Sequence, residues 1–254
     1  MMPRDELTGR IGDALIKCSC GEIAATDFMT PADAAAVMLL LKREPVGCLW
    51  SLYGGYEDAE RQMLFLLPDY IDEWIPSYSA DFIEAVRVVG SGYEELSHRA
   101  FMGSLLALGI AREAVGDIVT VGHHEAVIFA KPSVIRFLLS DELPLSRVGK
   151  DSVCVLPYEG DGSELVRAFT PVSGVIASER FDCVVAELCN LSREKAKQRI
   201  LSGEAQLNYA EADVSDSVSE GDVLSVRRCG KFKIVSISSC TKKDRLRLQA
   251  NKYI

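Results

Sequence analysis

The stretch Arg180–Lys233 constrains the fold of this chain most, because it holds a helix whose start can be read from the sequence. Ser192 suits the N-cap of that helix, since its hydroxyl can accept a hydrogen bond from an unpaired backbone N–H. Ala196 and Ile200 lie four residues apart and are therefore expected to face a core. We predict a helix that begins after Ser192 and ends at Gly203.

Basic residues occupy the other faces of this predicted helix. Arg193 and Lys197 lie four residues apart, as do Lys195 and Arg199. Cations near a helix N-terminus can hold phosphate, and the N-terminus adds backbone N–H donors of its own. For such a helix taken alone, a solvated basic face is the simpler explanation, because short motifs are only hypotheses.

The segments around the helix favour phosphate binding. Arg180-Phe181-Asp182 precedes a short helix, and Leu207-Asn208 and Glu220-Gly221-Asp222 precede a predicted basic strand at 226–228. This succession resembles the S-four domain, a small RNA-binding module named after a protein of the small ribosomal subunit. The resemblance implies that RNA is contacted by Arg180, Ser192, Arg193, Lys195, Lys197, Arg199, Arg227, Arg228, Lys231 and Lys233.

Composition places the chain among folded proteins. Of its 254 residues, 48% are apolar, which is enough for packed cores. No apolar run reaches membrane-spanning length, and the first residues lack the apolar core of a signal peptide. We therefore expect a cytoplasmic protein without a membrane partner. The eight cysteines form no Cys-x-x-Cys pair, which favours free thiols in a reducing compartment.

Charge is distributed unevenly along the chain. The net charge is −9, yet residues 180–254 carry 14 Lys or Arg against 10 Asp or Glu. Such asymmetry indicates a basic binding end on an acidic carrier. The acidic part is expected to discourage indiscriminate binding to polyanions, and we expect RNA rather than DNA as the partner.

The predicted fold class is α+β, with three domains. Residues 1–76 are expected to form a small, mostly helical domain, with one helix starting at Thr30-Pro31 and another over Tyr56–Leu67. Residues 77–157 are predicted to be ferredoxin-like, in the order β-α-β-β-α-β. A linker at 159–163 leads to the S-four module, residues 179–254. Only Phe129 is available for base stacking in the predicted hairpin of the middle domain, so we do not expect stacking there.

Catalytic signals are weak. The three histidines have no Asp or Glu at metal-ligand spacing, and no Gly-rich cofactor loop is present. We therefore expect neither a catalytic site, nor a metal, nor a cofactor. The alternative is an RNA-modifying enzyme, of the pseudouridine synthase or methyltransferase class, with an unrecognised active site in residues 1–157. A third interpretation, a relative that serves photosynthetic assembly, finds no transit segment to support its chloroplast form.

The whole arrangement resembles the YlmH family of bacterial S-four-domain proteins. The residues that carry the resemblance are Gly54-Gly55-Tyr56-Glu57-Asp58-Ala59-Glu60-Arg61, the stretch from His98 to Ile110, Gly116-Asp117-Ile118, the module itself and Gly230-Lys231-Phe232-Lys233. The resemblance implies a non-enzymatic RNA-binding protein with an RNA-recognition-like middle domain. It also implies binding to rRNA, tRNA and the large ribosomal subunit carrying a stalled peptidyl-tRNA, in ribosome-associated quality control.

Overall fold

A computed structural model describes residues 4–43, 45–142, 144–160, 162, 165, 169–239 and 245–253. Helices and sheets are mixed along these residues, so the predicted α+β class is confirmed. The chain divides into two compact units, Met1–Val166 and Arg167–Ile254, and each is described by itself. The finer division into residues 1–76, 77–157 and 179–254 stays a prediction, and its linker at 159–163 lies partly outside the described residues.

The first unit begins with two helices and a small sheet. Its elements are α1 (Arg4–Ser19), β1 (Ala24–Ala25), α2 (Pro31–Arg43), β2 (Leu49–Tyr53) and β3 (Met63–Leu67). The start of α2 is as predicted, because the Thr30 hydroxyl accepts a hydrogen bond from the Asp33 backbone N–H at 3.2 Å. The three strands form an antiparallel sheet in the order β1-β3-β2.

The helix predicted over Tyr56–Leu67 is wrong, because the last five of these residues form β3. This strand is central in its sheet, and all of its side chains are buried. A continuous apolar run of this length lacks the alternation that marks a half-buried strand. Periodicity therefore could not distinguish a fully buried strand from a buried helix at this point.

A larger sheet follows in the same unit. Its elements are β4 (Glu84–Gly90), α3 (His98–Ala107), β5 (Val115–Val121), β6 (Glu125–Ala130), α4 (Pro132–Leu138), β7 (Arg147–Val148) and β8 (Asp151–Pro157), with 3-10 turns at Pro76–Ser79 and Arg112–Ala114. The strand order is β5-β6-β4-β8-β7, and every pair is antiparallel. The predicted succession β-α-β-β-α-β is therefore observed, with β7 as an addition that the sequence did not indicate.

The larger sheet is covered on both faces. Phe101 of α3 and Leu138 of α4 pack with Ile128 on one face. The neighbouring residue Phe129 points to the opposite face, where it joins a core with Phe65 of β3. Phe129 is buried and its ring stacks on Tyr56, so it is not exposed at the surface of the sheet.

The second unit is a five-stranded antiparallel sheet with two helices. Its elements are β9 (Phe169–Ile176), α5 (Phe181–Leu188), α6 (Arg193–Leu201), β10 (Ala205–Leu207), β11 (Val223–Val226), β12 (Gly230–Ser239) and β13 (Leu246–Tyr253). The strand order is β10-β11-β12-β13-β9. Phe181 and Ile200 of the helices share a core with Phe232 and Leu248, so both helices pack on the same face of the sheet.

Candidate nucleic-acid interface

The start of α6 has the predicted geometry. The Ser192 hydroxyl accepts a hydrogen bond from the Lys195 backbone N–H at 3.3 Å. Ala196 and Ile200 are buried, as predicted, and this orientation leaves Lys195 and Lys197 exposed. A capped helix start with exposed cations beside it is suited to hold phosphate.

A buried carboxylate joins two of the predicted RNA-binding residues. The Nε atom of Arg180 donates to one oxygen of Asp182 at 3.1 Å, and Nη2 of Arg193 donates to the other at 2.8 Å. Asp182 is 5% exposed, whereas the two arginine side chains remain 43% and 60% exposed. Each guanidinium has five N–H donors, so one contact to Asp182 still leaves donors directed elsewhere.

Asp182 fixes the positions of these arginines at neutral pH. Burial raises the pKa of its carboxyl group, but the hydrogen bonds from Arg193 and Arg180 outweigh burial and hold that pKa below its usual range. The same hydrogen bond raises the pKa of Arg193. Sequence reasoning placed Asp182 in the Arg-Phe-Asp signature without giving it a partner. Arg193, predicted only as an RNA-contacting cation, therefore also has a contact within the fold.

We expect the variant Asp182→Asn to lower the free energy of unfolding of the second unit by about 1.5–3 kcal/mol at neutral pH, since it weakens hydrogen bonds to charged groups. Because the pKa of Asp182 is depressed in the fold, its contribution is present above the unfolded value of about 3.9 and is lost as pH falls further. Calorimetric unfolding between pH 7 and 3 should show that the free energies of unfolding of the wild type and the variant converge below about pH 4. A constant difference at all pH values would contradict this role.

Arg199 contacts the turn between β11 and β12. Its Nη1 atom donates to the Arg227 carbonyl oxygen at 2.8 Å, and its Nε lies 4.0 Å from a carboxylate oxygen of Glu204. The strand predicted through residues 226–228 is wrong, because β11 ends at Val226 and the chain turns there. Arg228 adopts the left-handed backbone conformation, with φ of +63°, that this tight turn needs. Arg227 and Arg228 are exposed at the turn.

A disulfide joins the same turn to the end of α5. Cys189, the C-cap of α5, is bonded to Cys229, with the two Cα atoms 5.8 Å apart. The expectation that all cysteines are free thiols is therefore wrong for this pair. Cys18, Cys20, Cys48, Cys154 and Cys183 are free, and Cys240 lies outside the described residues.

Lys231 and Lys233 lie apart from the other predicted residues. They alternate along β12 with Phe232 and Ile234, which belong to the core beneath α5 and α6. Successive side chains of a strand point to opposite faces, so both lysines lie on the face that the helices leave uncovered. The predicted residues thus divide between the helix side, the β11–β12 turn and the uncovered sheet face.

Two segments of the first unit that carry the family resemblance, around residues 54–61 and 116–118, have a structural role. The Asp117 carboxylate accepts hydrogen bonds from the Tyr56 hydroxyl at 2.7 Å and from the backbone N–H groups of Glu60 and Arg61 at 2.7 and 3.0 Å. Arg61, only 8% exposed, donates through Nε to the Val115 carbonyl oxygen at 2.9 Å. These contacts tie the loop before β3 to β5. The loop before β3 and the start of β5 are thus joined by hydrogen bonds within the first unit.

The first unit also has an open cavity of ≈ 370 Å³ beside β4 and β6. Glu84 supplies its one carboxylate, and Phe129 and Tyr158 supply its aromatic lining. Among the residues that the structure describes, no cluster of His, Cys, Asp or Glu could hold a metal ion. Within the same residues, no helix has the length and apolar character needed to cross a bilayer.

The chain is similar to known proteins in sequence and in structure. Residues 81–159, which contain β4 through β8, match the family model “Putative RNA-binding domain in YlmH”. The chain is 28% identical over 231 residues to the “Ribosome-associated protein quality control protein P2” of Bacillus subtilis (strain 168). The aligned residues cover 88% of this chain and 84% of the relative. A solved structure, “Cell division protein ylmH from Streptococcus pneumoniae”, is 21% identical with a TM-score of 0.48, covering 61% of this chain and 87% of that one.

Proposed function

Because this chain belongs to the YlmH family, we propose that it is a non-enzymatic RNA-binding factor that binds the large ribosomal subunit. On this proposal it contacts rRNA or peptidyl-tRNA in the cytoplasm and acts in ribosome-associated quality control. The name of the Bacillus subtilis relative supports the association with ribosomes and with quality control. An RNA-modifying enzyme would need convergent titratable groups; among the described residues, the cavity beside β4 and β6 is lined by a single carboxylate, Glu84.

The observation that carries the proposal is the basic surface around the start of α6. We call Arg180, Arg193, Lys195 and Lys197 the helix surface. Asp182 positions the two arginines, and Ser192 caps the helix whose first two turns carry the lysines. Positioned guanidinium groups bind phosphate in a bidentate manner, while lysines add charge that attracts the RNA backbone. Binding of this kind requires no covalent step.

The variant Lys195→Ala with Lys197→Ala tests the proposal without disturbing the Asp182 contacts. We expect it to weaken binding to large ribosomal subunits at least about ten-fold, since charge-assisted hydrogen bonds to phosphate are lost. Each lost phosphate contact should also reduce the slope of log affinity against log salt by about 0.7 to 0.9. Co-sedimentation with isolated subunits at several salt concentrations measures both quantities.

The matched control is Lys17→Ala with Lys42→Ala, which removes the same charge from exposed positions of α1 and α2. This control should bind with nearly the wild-type affinity. If the α6 variant and the control lose affinity equally, only net charge matters and the helix surface is not the binding site. Unfolding of both variants is measured alongside, and exposed cations should change stability little.

A further inference from the structure

We propose that the uncovered face of the sheet in the second unit is a separate binding site for single-stranded RNA. We call this side, opposite to α5 and α6, the open sheet face. The inference rests on the proposed function in that it takes RNA as the ligand of the module. It adds a second surface, a ligand class and residues outside the helix surface.

The strand register places a row of side chains across the open sheet face. Lys231 of β12 stands opposite Ser225 of β11, and Phe169 of β9 stands opposite Tyr253 of β13. Phe232 pairs with Lys252 in the next register position, so Lys231 and Tyr253 are also neighbours across the sheet. One end of the face therefore combines a cation with aromatic rings on adjacent strands.

The side chains of this row contact each other directly. The Lys231 ammonium lies 4.6 Å from the ring centre of Tyr209 and 4.7 Å from that of Tyr253. The Tyr253 and Phe169 rings meet at 5.0 Å with an interplanar angle of 76°. These rings are half-buried rather than enclosed in the core. The cation is thus held between two tyrosine rings at the protein surface.

The charged side chains at open-face positions of the described strands are basic. Lys233 follows Lys231 along β12, and Arg247 lies further along β13, exposed and opposite Val175 of β9. No Asp or Glu occupies an open-face position in the five strands β9 to β13. This is a reversal of the acidic character of the whole chain, and it favours a polyanion as the occupant.

The shape of the face favours a strand with splayed bases. A groove of ≈ 450 Å³ runs over β9 and β13, lined among others by Pro171, Ser173 and Gln249. A second groove of ≈ 440 Å³ adjoins Lys231 on the side of Ser225, and its lining also includes Arg227 and the carboxylate of Glu204. Aromatic rings that reach the surface beside cations bind single strands, because unpaired bases offer their faces for stacking while the phosphates meet the charges. A duplex keeps its base faces stacked inside and would use the cations alone.

The test compares Tyr253→Leu with Tyr253→Phe in the full chain. A fluorescent oligouridine of about twelve nucleotides, a length that spans such a site, is the probe, and its anisotropy gives the affinity. We expect the leucine variant to bind at least about five-fold more weakly, since it keeps apolar bulk but loses stacking, and the phenylalanine variant to bind like the wild type.

Lys231→Gln with Lys233→Gln should reduce the slope of log affinity against log salt by about 1.4. Tyr93→Leu, at a tyrosine 77% exposed in the first unit, is the control and should change nothing.

The outcomes separate this inference from the proposed function. If Tyr253→Leu, Tyr253→Phe and the wild type bind the oligouridine equally while large-subunit binding persists, the open sheet face is not a stacking site and the proposed function stands. If only Lys195→Ala with Lys197→Ala reduces oligouridine binding, single strands use the helix surface and the inference is overturned. If the wild type binds neither oligouridine nor large subunits, both the inference and the proposed function fail. If Tyr253→Leu does not fold, the variant Lys231→Gln with Lys233→Gln tests the inference instead. An unchanged slope of log affinity against log salt in that variant overturns the inference.

Discussion

Replacing Asp117 by alanine is expected to destabilise the first unit by about 3–5 kcal/mol, the range for removing one partner from a buried charged network. The carboxylate accepts hydrogen bonds from Tyr56, Glu60 and Arg61, and the substitution removes all three of them. Burial lowers the pKa of Arg61, with a further lowering from Arg112, and the Asp117 charge is among the groups that oppose this. Without Asp117, the buried guanidinium loses that compensation.

Urea unfolding followed by tryptophan fluorescence measures this effect in the first unit alone. The chain has two tryptophans, Trp50 and Trp74, and both belong to that unit. Trp74 lies 4.8 Å from the Phe65 ring, centre to centre, so its emission reports the core that the network closes. Asp13→Ala, at an exposed carboxylate of α1, is the matched control and should cost little. A loss below about 1 kcal/mol for Asp117→Ala would mean that the network contributes no more than an ordinary hydrogen bond.

Opening the Cys189–Cys229 disulfide is expected to lower the free energy of unfolding of the second unit by about 2–4 kcal/mol. The two cysteines are 40 residues apart in sequence, so the bond closes a long loop in the unfolded chain. It also fastens the turn that carries Arg227 and Arg228 to the end of α5. Reduction should therefore loosen that turn as well as destabilise the unit.

Calorimetry with and without dithiothreitol, and on Cys189→Ser with Cys229→Ser, tests the disulfide. The reduced wild type and the double variant should show the same lowered transition. Cys154→Ser, at an exposed free cysteine, is the control and should leave the transition unchanged. Alkylation of the denatured, unreduced protein should leave Cys189 and Cys229 unmodified. Full alkylation of both thiols before reduction would show that the bond does not form in solution.

Local signals were sufficient to predict the helices that matter for the site. Ser192 as N-cap and the buried pair Ala196 and Ile200 follow from a side-chain hydrogen bond and from helix periodicity, both of which act within a few residues. The same holds for the start of α2 at Thr30 and for the β5–β6 hairpin. These elements could be recognised because each carries its own cap, turn or period.

Contacts between distant residues could not be predicted in the same way. Arg193 lies 11 positions from Asp182, and Asp117 lies 56 positions from Arg61. Helix and strand periodicities relate residues only a few positions apart, so they could not predict either contact. The disulfide belongs to the same class, because the pairing of several cysteines cannot be deduced from their spacing. Lys231 and Lys233 were grouped with the helix cations because sequence identifies basic residues without giving the face of the module on which they lie.

The packing of β3 against the larger sheet sets the order in which the first unit can close during synthesis. Met63 and Phe65 pack with Val127 and Phe129, which the ribosome adds roughly 60 residues later. At bacterial elongation rates of about 5–20 residues per second, the nascent chain carries this apolar strand uncovered for several seconds. The part of the protein that is made first therefore lacks the partners that complete its core until the hairpin β5–β6 has been synthesised.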